Sequence, residues 1–187
     1  GQLTTGVLKL FGIGVLAAGA GLWVAGTESG FVDPVAFGIS WFAATVVVGG
    51  SANLVNLADL RPLRALKTYV LLAIIAAALG AASLAAYTDR AAAVGLGTLV
   101  LLVGPALAVW GPDAAERGML GDAGANAAGA LAGFWLARGL VSVPVALGVA
   151  AAIIVALNLI SERVSFSEVI ERNRVLKWLD MLGRPKE

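Results

Sequence analysis

The chain has 187 residues, 59% of them hydrophobic and 13% charged, with a net charge of +1 and a mean hydropathy of +0.90. A water-soluble domain carries about 25% charged residues, and one of this length could not hide so much apolar surface, so lipid is the expected solvent. The near-zero net charge argues against a nucleic-acid partner, and the absence of cysteine and histidine removes thiolate ligands, imidazole bases and histidine switches.

A helix that crosses a bilayer needs ~20 mostly apolar residues. Six stretches qualify in chain order: Thr5–Gly26, Pro34–Gly50, Leu66–Tyr87, Ala91–Trp110, Gly124–Leu140 and Ser142–Ile160. The second and fifth are short, which predicts a tilted or partly broken span. The expected fold is therefore all-α, a polytopic transmembrane bundle of about six spans. Its orientation follows from the distribution of Lys and Arg. If the N-terminal end is cytosolic, only Arg90 and Arg138 of the basic residues lie outside, and the rest lie inside. The reading is N-in and C-in, in the cell membrane. Trp23 and Tyr87 then fall at outer ends and Tyr69 and Trp110 at inner ends, the placement of an aromatic belt.

Small residues recur within the spans. Gly129 and Gly133 form a GxxxG, and Ala17 and Gly21 repeat the small-xxx-small spacing. Such spacing lets helix backbones approach closely. Packing within one bundle is its commoner use, and a homodimer is the alternative.

After the last span the chain leaves the membrane. Ser165 and Glu168 have capping-box spacing. Val169, Ile170, Leu176, Leu179 and Leu182 recur at near-helical intervals among Glu171, Arg172, Arg174 and Lys177, and Gly183 and Pro185 end the pattern. An amphipathic helix lying on the cytosolic interface is expected, with docking on the protein's own loops as the alternative. The organisation is thus a transmembrane bundle over 1–162, with motif loops at 49–67 and 111–126, followed by an amphipathic tail over 163–187.

Two of the inside segments carry polar residues worth singling out. Asn53, Asn56 and Asp59 are spaced three apart, so on a helix they lie within about 120° of one another. Two amides and a carboxylate on one face are costly near lipid unless they meet a polar cavity or ligand. The second segment reads Gly121-Asp122-Ala123-Gly124-Ala125-Asn126. Asp122 stands at the start of the fifth span, where an ordinary N-cap is one reading, and Asn126 follows one turn later. A glycine-flanked helix N-terminus also suits phosphate, and a carboxylate beside it could hold Mg²⁺. The pair Asp113 and Glu116 reads as a solvated turn, and Asn158 stands nearly alone in the last span.

These two segments resemble the polyprenyl-phosphate sugar-1-phosphate transferases, the superfamily of phospho-N-acetylmuramoyl-pentapeptide transferase and undecaprenyl-phosphate N-acetylglucosamine-1-phosphate transferase. That family carries Asn-x-x-Asn-x-x-Asp-Gly after a glycine-ended span, matched here from Gly49 through Asn53 and Asn56 to Asp59. It also carries Gly-Asp-x-Gly-Ser/Ala at the opening of a later span, matched here by Gly121, Asp122, Gly124 and Ala125. The resemblance implies a Mg²⁺-dependent membrane enzyme, with Mn²⁺ as the alternative ion. It would transfer a sugar-1-phosphate from a UDP-amino sugar to a polyprenyl phosphate and release UMP, in cell-wall and envelope glycan synthesis. It further implies Asp122 as metal ligand and Asp59 as the group that positions or deprotonates the lipid phosphate. Asn53, Asn56 and Asn126 would be substrate contacts, with Lys9 as a further basic contact. The site would lie on the cytosolic face. The chain departs from the family pattern in lacking an N-terminal Asp-Asp pair, a histidine-rich loop and several spans, so it reads as a C-terminal portion or a divergent branch. The competing reading is a non-catalytic membrane protein, such as a scaffold, lipid-handling or transport subunit.

Overall fold

Long apolar runs with few charges become helices, because a backbone surrounded by hydrocarbon must satisfy its own hydrogen bonds. The computed structural model describes residues 5–28, 33–85 and 87–184. Among these it is entirely helical, with α1 Thr5–Glu28, α2 Pro34–Ala58, α3 Arg64–Leu84, α4 Ala91–Ala114, α5 Gly121–Leu140, α6 Pro144–Arg163, α7 Phe166–Arg172 and α8 Arg174–Met181. Four of them, α2, α3, α4 and most of α6, are long and apolar enough to cross a membrane.

α2 starts cleanly. The Asp33 carboxylate accepts the N–H groups of Val35 and Ala36, and Pro34 occupies the first helical position, where its missing N–H costs nothing. The helix then runs through Gly49 and Gly50 to Ala58. The expectation of a short second span ending at these glycines is corrected. Each glycine marks a helix contact. A Cβ at Gly49 would touch the Ala17 methyl of α1 at 3.4 Å, and one at Gly50 would collide with Ile154 of α6. Residues 49–58, expected as part of a loop, therefore continue the helix, as do residues 111–114 of α4 and 121–126 of α5.

α2 packs against α1, α5 and α6, while α5 lies between α2 and α3, and α4 sits outside against α3. The tightest seam is α2–α5. A Cβ at Gly129 would meet the Ser51 carbonyl oxygen and the Ala52 Cα, and one at Gly133 would lie 2.8 Å from the Ser51 Cβ and the Val47 carbonyl. The GxxxG is thus used inside the bundle, where missing side chains let two backbones touch. It also explains the modest hydropathy of α5. A helix enclosed by neighbours needs small residues more than lipid-facing ones, and Ala125, Gly129, Ala132, Gly133, Leu136 and Ala137 are all buried.

The core divides into two clusters. One gathers Val24, Ala44, Val47, Leu136, Leu147 and Ile154. The other, nearer the α2–α3 connection, gathers Val55, Leu63, Leu66, Tyr69, Ala106 and Ala125. Tyr69 is corrected from belt to core. It is buried, and its hydroxyl donates to the Leu102 carbonyl of α4 at 2.6 Å, because a phenol sunk among helices needs a partner. Trp23 and Tyr87 are exposed.

Candidate functional site

The α2–α3 connection, the α4–α5 connection and the C-terminal helices meet at one end of the bundle. α2 ends with Asp59 at its C-cap. Four residues later Leu63 adopts a left-handed conformation, φ +63°, which costs an L-residue roughly 1–2 kcal/mol. Its side chain is fully buried, and burying a leucine returns about 1.5–3 kcal/mol, enough to hold the turn. Asp113 adds a second restraint by accepting the Leu63 N–H. Only 5% of Asp113 is exposed. The expected solvated turn at Asp113 and Glu116 is therefore half wrong: Glu116 is exposed, but Asp113 is a buried brace for the segment that carries Asp59.

Asp59 and Asp122, 63 positions apart in the chain, line one pocket of about 340 Å³ together with Asn56, Leu57, Leu60, Met119 and Gly121. The Gly121 N–H donates to the Asp59 carboxylate. Asp122 occupies the first turn of α5 and is not its N-cap, a position held by Leu120 without any side-chain bond. The positive end of the helix dipole favours a carboxylate there. Burial pushes the Asp59 carboxyl above its usual range. The Gly121 N–H opposes that shift, and the negative charges of Asp113 and Asp122 add to it.

Asp122 also lies at one end of a much larger cavity of about 630 Å³ between α1, α2 and α5. The walls of this groove are Gly, Ala, Val, Ile, Leu and Phe, from Asn126 and Ala127 on to Ala130 and Phe134. Asn126 is buried, and its amide donates to the Asp122 carbonyl one turn back. A small acidic pocket and a long apolar groove thus share Asp122.

The polar stripe on α2 does not act as one face. Successive members drift about 60° per three residues, so its two ends meet different neighbours. Asn56 and Asp59 reach the pocket, whereas the Asn53 amide donates to the Asn158 Oδ1 of α6 at 2.7 Å. Asn158 in turn donates to the carbonyls of Gly50 at 3.1 Å and Ile154 at 2.8 Å. Asn53 is tied into a junction of α2 and α6, and Asn158, read as isolated, is its partner. Lys9 falls on α1 with its side chain outside the described residues.

A metal's fit can be judged from the donors present. Among the described residues no three acidic side chains converge. Magnesium requires only one or two carboxylates when substrate phosphates and water complete its shell, and the mutual repulsion of Asp59 and Asp122 is what a divalent cation would relieve. The pair fits such an ion.

The fold and this site define a class, an all-helical protein with four helices able to cross a membrane and an acidic pocket at one end of the bundle. Comparisons with known protein families, curated proteins and solved structures found no match.

Proposed function

We propose that the chain belongs to a membrane transferase that moves a sugar-1-phosphate from a UDP-amino sugar to a polyprenyl phosphate. In this reading α1 and α5 also cross the bilayer, giving six spans with both chain ends cytosolic. The resemblance of the two motifs supports the reading, and one observation carries it: Asp59 and Asp122 line one pocket whose neighbour is a long apolar groove. A prenyl chain is apolar and its phosphate is charged, so a substrate of that kind needs a greasy channel that ends at a polar site.

The reaction is a displacement at phosphorus. A phosphate oxygen of the lipid forms a bond to the β-phosphorus of the UDP-sugar. The bond from that phosphorus to the bridging oxygen breaks, and UMP leaves with the oxygen and its electron pair. Two anions must approach one another, so the charge that develops on the leaving phosphate has to be neutralised; a bound Mg²⁺ or Mn²⁺ would supply that neutralisation. Asp122 would hold the ion. Asp59, with its raised pKa, would orient the lipid phosphate and accept its proton if it arrives protonated. Asn56 would donate to a phosphate oxygen, and Asn126 sits at the groove end beside Asp122. Asn53 contributes by holding α2 to α6.

The test uses the chain in its native membrane, supplied with UDP-amino sugar and polyprenyl phosphate, and reads UMP release. Asp122→Asn is expected to lower turnover by about a thousandfold, the scale of several kcal/mol of lost charge stabilisation, with unchanged thermal unfolding. Turnover equal to the parent's would remove the metal role. The groove's almost wholly apolar lining also suits a non-catalytic lipid-handling subunit. That reading predicts binding of polyprenyl phosphate with no UMP release at any cation concentration.

A further inference from the structure

The C-terminal segment is docked the wrong way round for a helix in water. Asn173 separates α7 from α8 and caps α8 by accepting the N–H groups of Val175 and Leu176. Ser165 begins α7 without a side-chain cap, so the expected capping box is corrected and the expected single helix becomes two. The side of α8 that meets the bundle is its charged side. Asp180 is 8% exposed and receives the Arg64 guanidinium through two bonds, Nε to Oδ1 at 2.9 Å and a terminal nitrogen to Oδ2 at 3.0 Å. Arg184 pairs with the same carboxylate at 3.1 Å. Lys67 donates to the carbonyls of Leu179 and Asp180 at 2.9 and 2.6 Å.

The apolar side faces out. Val175, Trp178 and Leu179 lie within about 100° of arc on α8, and the centre of that arc is about 150° from Asp180. Val175 is 65% exposed and Trp178 62%. A helix docked in water would bury Trp178 and leave Asp180 outside, because the apolar area is the favourable term and the desolvated charge the costly one. The inverted arrangement makes sense only if the outward face meets something apolar. Two observations identify it. The attachment points, Arg64 and Lys67, are in the first turn of α3, a helix able to cross a membrane, so α8 sits at the height of a span's end. Arg174 lies about 40° beyond Trp178 at the edge of the apolar arc, and the one acidic residue of α8, Asp180, is turned inward, so that edge is bordered by positive charge.

We propose that α8 is seated in the interface of an anionic leaflet, with its Val175–Trp178–Leu179 face in the acyl region and Arg174 at the headgroups, while Asp180 anchors it to Arg64. Both expected placements of the tail then hold at once: it docks on the protein by its charged side and on lipid by its apolar side. The arrangement also ties the leaflet to the candidate pocket, since Arg64 directly follows the Leu63 turn that Asp113 braces.

The chain contains no cysteine, so single cysteines can be introduced and labelled cleanly. The full chain is reconstituted in nanodiscs with an environment-sensitive fluorophore on Val175→Cys or, separately, on Glu168→Cys, and brominated acyl lipids serve as quencher. The proposal expects strong quenching at position 175 and weak quenching at 168. It also expects more quenching at 175 with phosphatidylglycerol present than with phosphatidylcholine alone. In the Arg174→Gln variant the seated-to-free ratio should fall about fivefold, and Lys177→Gln, on the side of α8 away from the arc, should lower it less. A water-accessible label at 175, quenched by iodide and indifferent to brominated lipid, would overturn the seating. Equal quenching in both lipids would overturn the anionic assignment. Shielding at 175 that grows with protein concentration in detergent would assign the face to a second copy and overturn the lipid altogether.

Discussion

Asp59 and Asp180 lie at the same end of the bundle, yet their carboxyls are displaced in opposite directions. Burial would raise both. At Asp180 the Arg64 guanidinium, together with Arg184 and Lys67, outweighs burial and holds the carboxyl below its usual range. At Asp59 the one opposing influence is the Gly121 N–H, and Asp113 and Asp122 push the same way as burial. The Asp180 carboxylate is met within the chain by three cationic groups. Around Asp59 the charges that act on the carboxyl are those of two further carboxylates, Asp113 and Asp122. The difference directs the search for a ligand: a carboxylate met by guanidinium and ammonium groups holds structure, and two carboxylates lining one pocket suit a cation.

The largest effect is expected from removing the carboxylate at the centre of the Asp180 cluster. Asp180→Ala leaves the buried Arg64 without its counter-charge, and removing one partner of a buried pair costs about 3–5 kcal/mol. Unfolding in detergent should show that loss. Replacing both partners, Arg64→Met with Asp180→Leu, should recover most of it, since an apolar pair of similar volume needs no compensation. A double variant as unstable as Asp180→Ala would mean that the cluster does more than hold two segments together.

Acid titration sharpens the contrast. The folded carboxyl of Asp180 is depressed, so its contribution to stability is fully present above the ordinary value of 3.8 and is lost as pH falls through the lower folded value. The folded carboxyl of Asp59 is raised, so the sign reverses. The folded state binds its proton more readily than the unfolded chain, and Asp59 lowers stability as pH rises through the window that begins at 3.8 and ends at the raised value. In that same window protonation of Asp59 competes with a bound cation. Mg²⁺ affinity, read by calorimetry on the reconstituted protein, should therefore weaken as pH falls through the raised value and already do so above 3.8. Affinity independent of pH in that range would separate Asp59 from the ion.

The smallest effect is expected at Asp59 itself. Asp59→Asn keeps an oxygen for the Gly121 N–H and removes a charge that its neighbours repel. Its half-exposed position limits the gain to about 0.5 kcal/mol in thermal unfolding. A marked loss of stability would show that the carboxylate is a structural acceptor, and the contrast with Asp180 would fail.

Much of this architecture was legible along the chain. Runs of apolar residues announced the long helices, since hydropathy is a sum over neighbours in sequence. Gly129 and Gly133 announced a close helix contact, and the spacing of Asn53, Asn56 and Asp59 and of Asp122 and Asn126 marked the segments that line the two cavities. Other features were misread for local reasons. Gly49 and Gly50 looked like a helix end because glycine often ends helices, but here they admit α1 and α6. Asp113 looked solvated because its neighbours in sequence are turn residues, whereas its partner, the Leu63 N–H, is 50 positions away.

That the chain is helical and apolar, and which short stretches are polar, follows from residues a few positions apart. Which polar groups meet one another depends on how the helices pack. Arg64 finds Asp180 across 116 positions, Asn53 finds Asn158 across 105, and Asp59 and Asp122 come to line one pocket. A charge is balanced or unbalanced by whatever lies within a few ångströms of it in space, and that distance is set by helix packing.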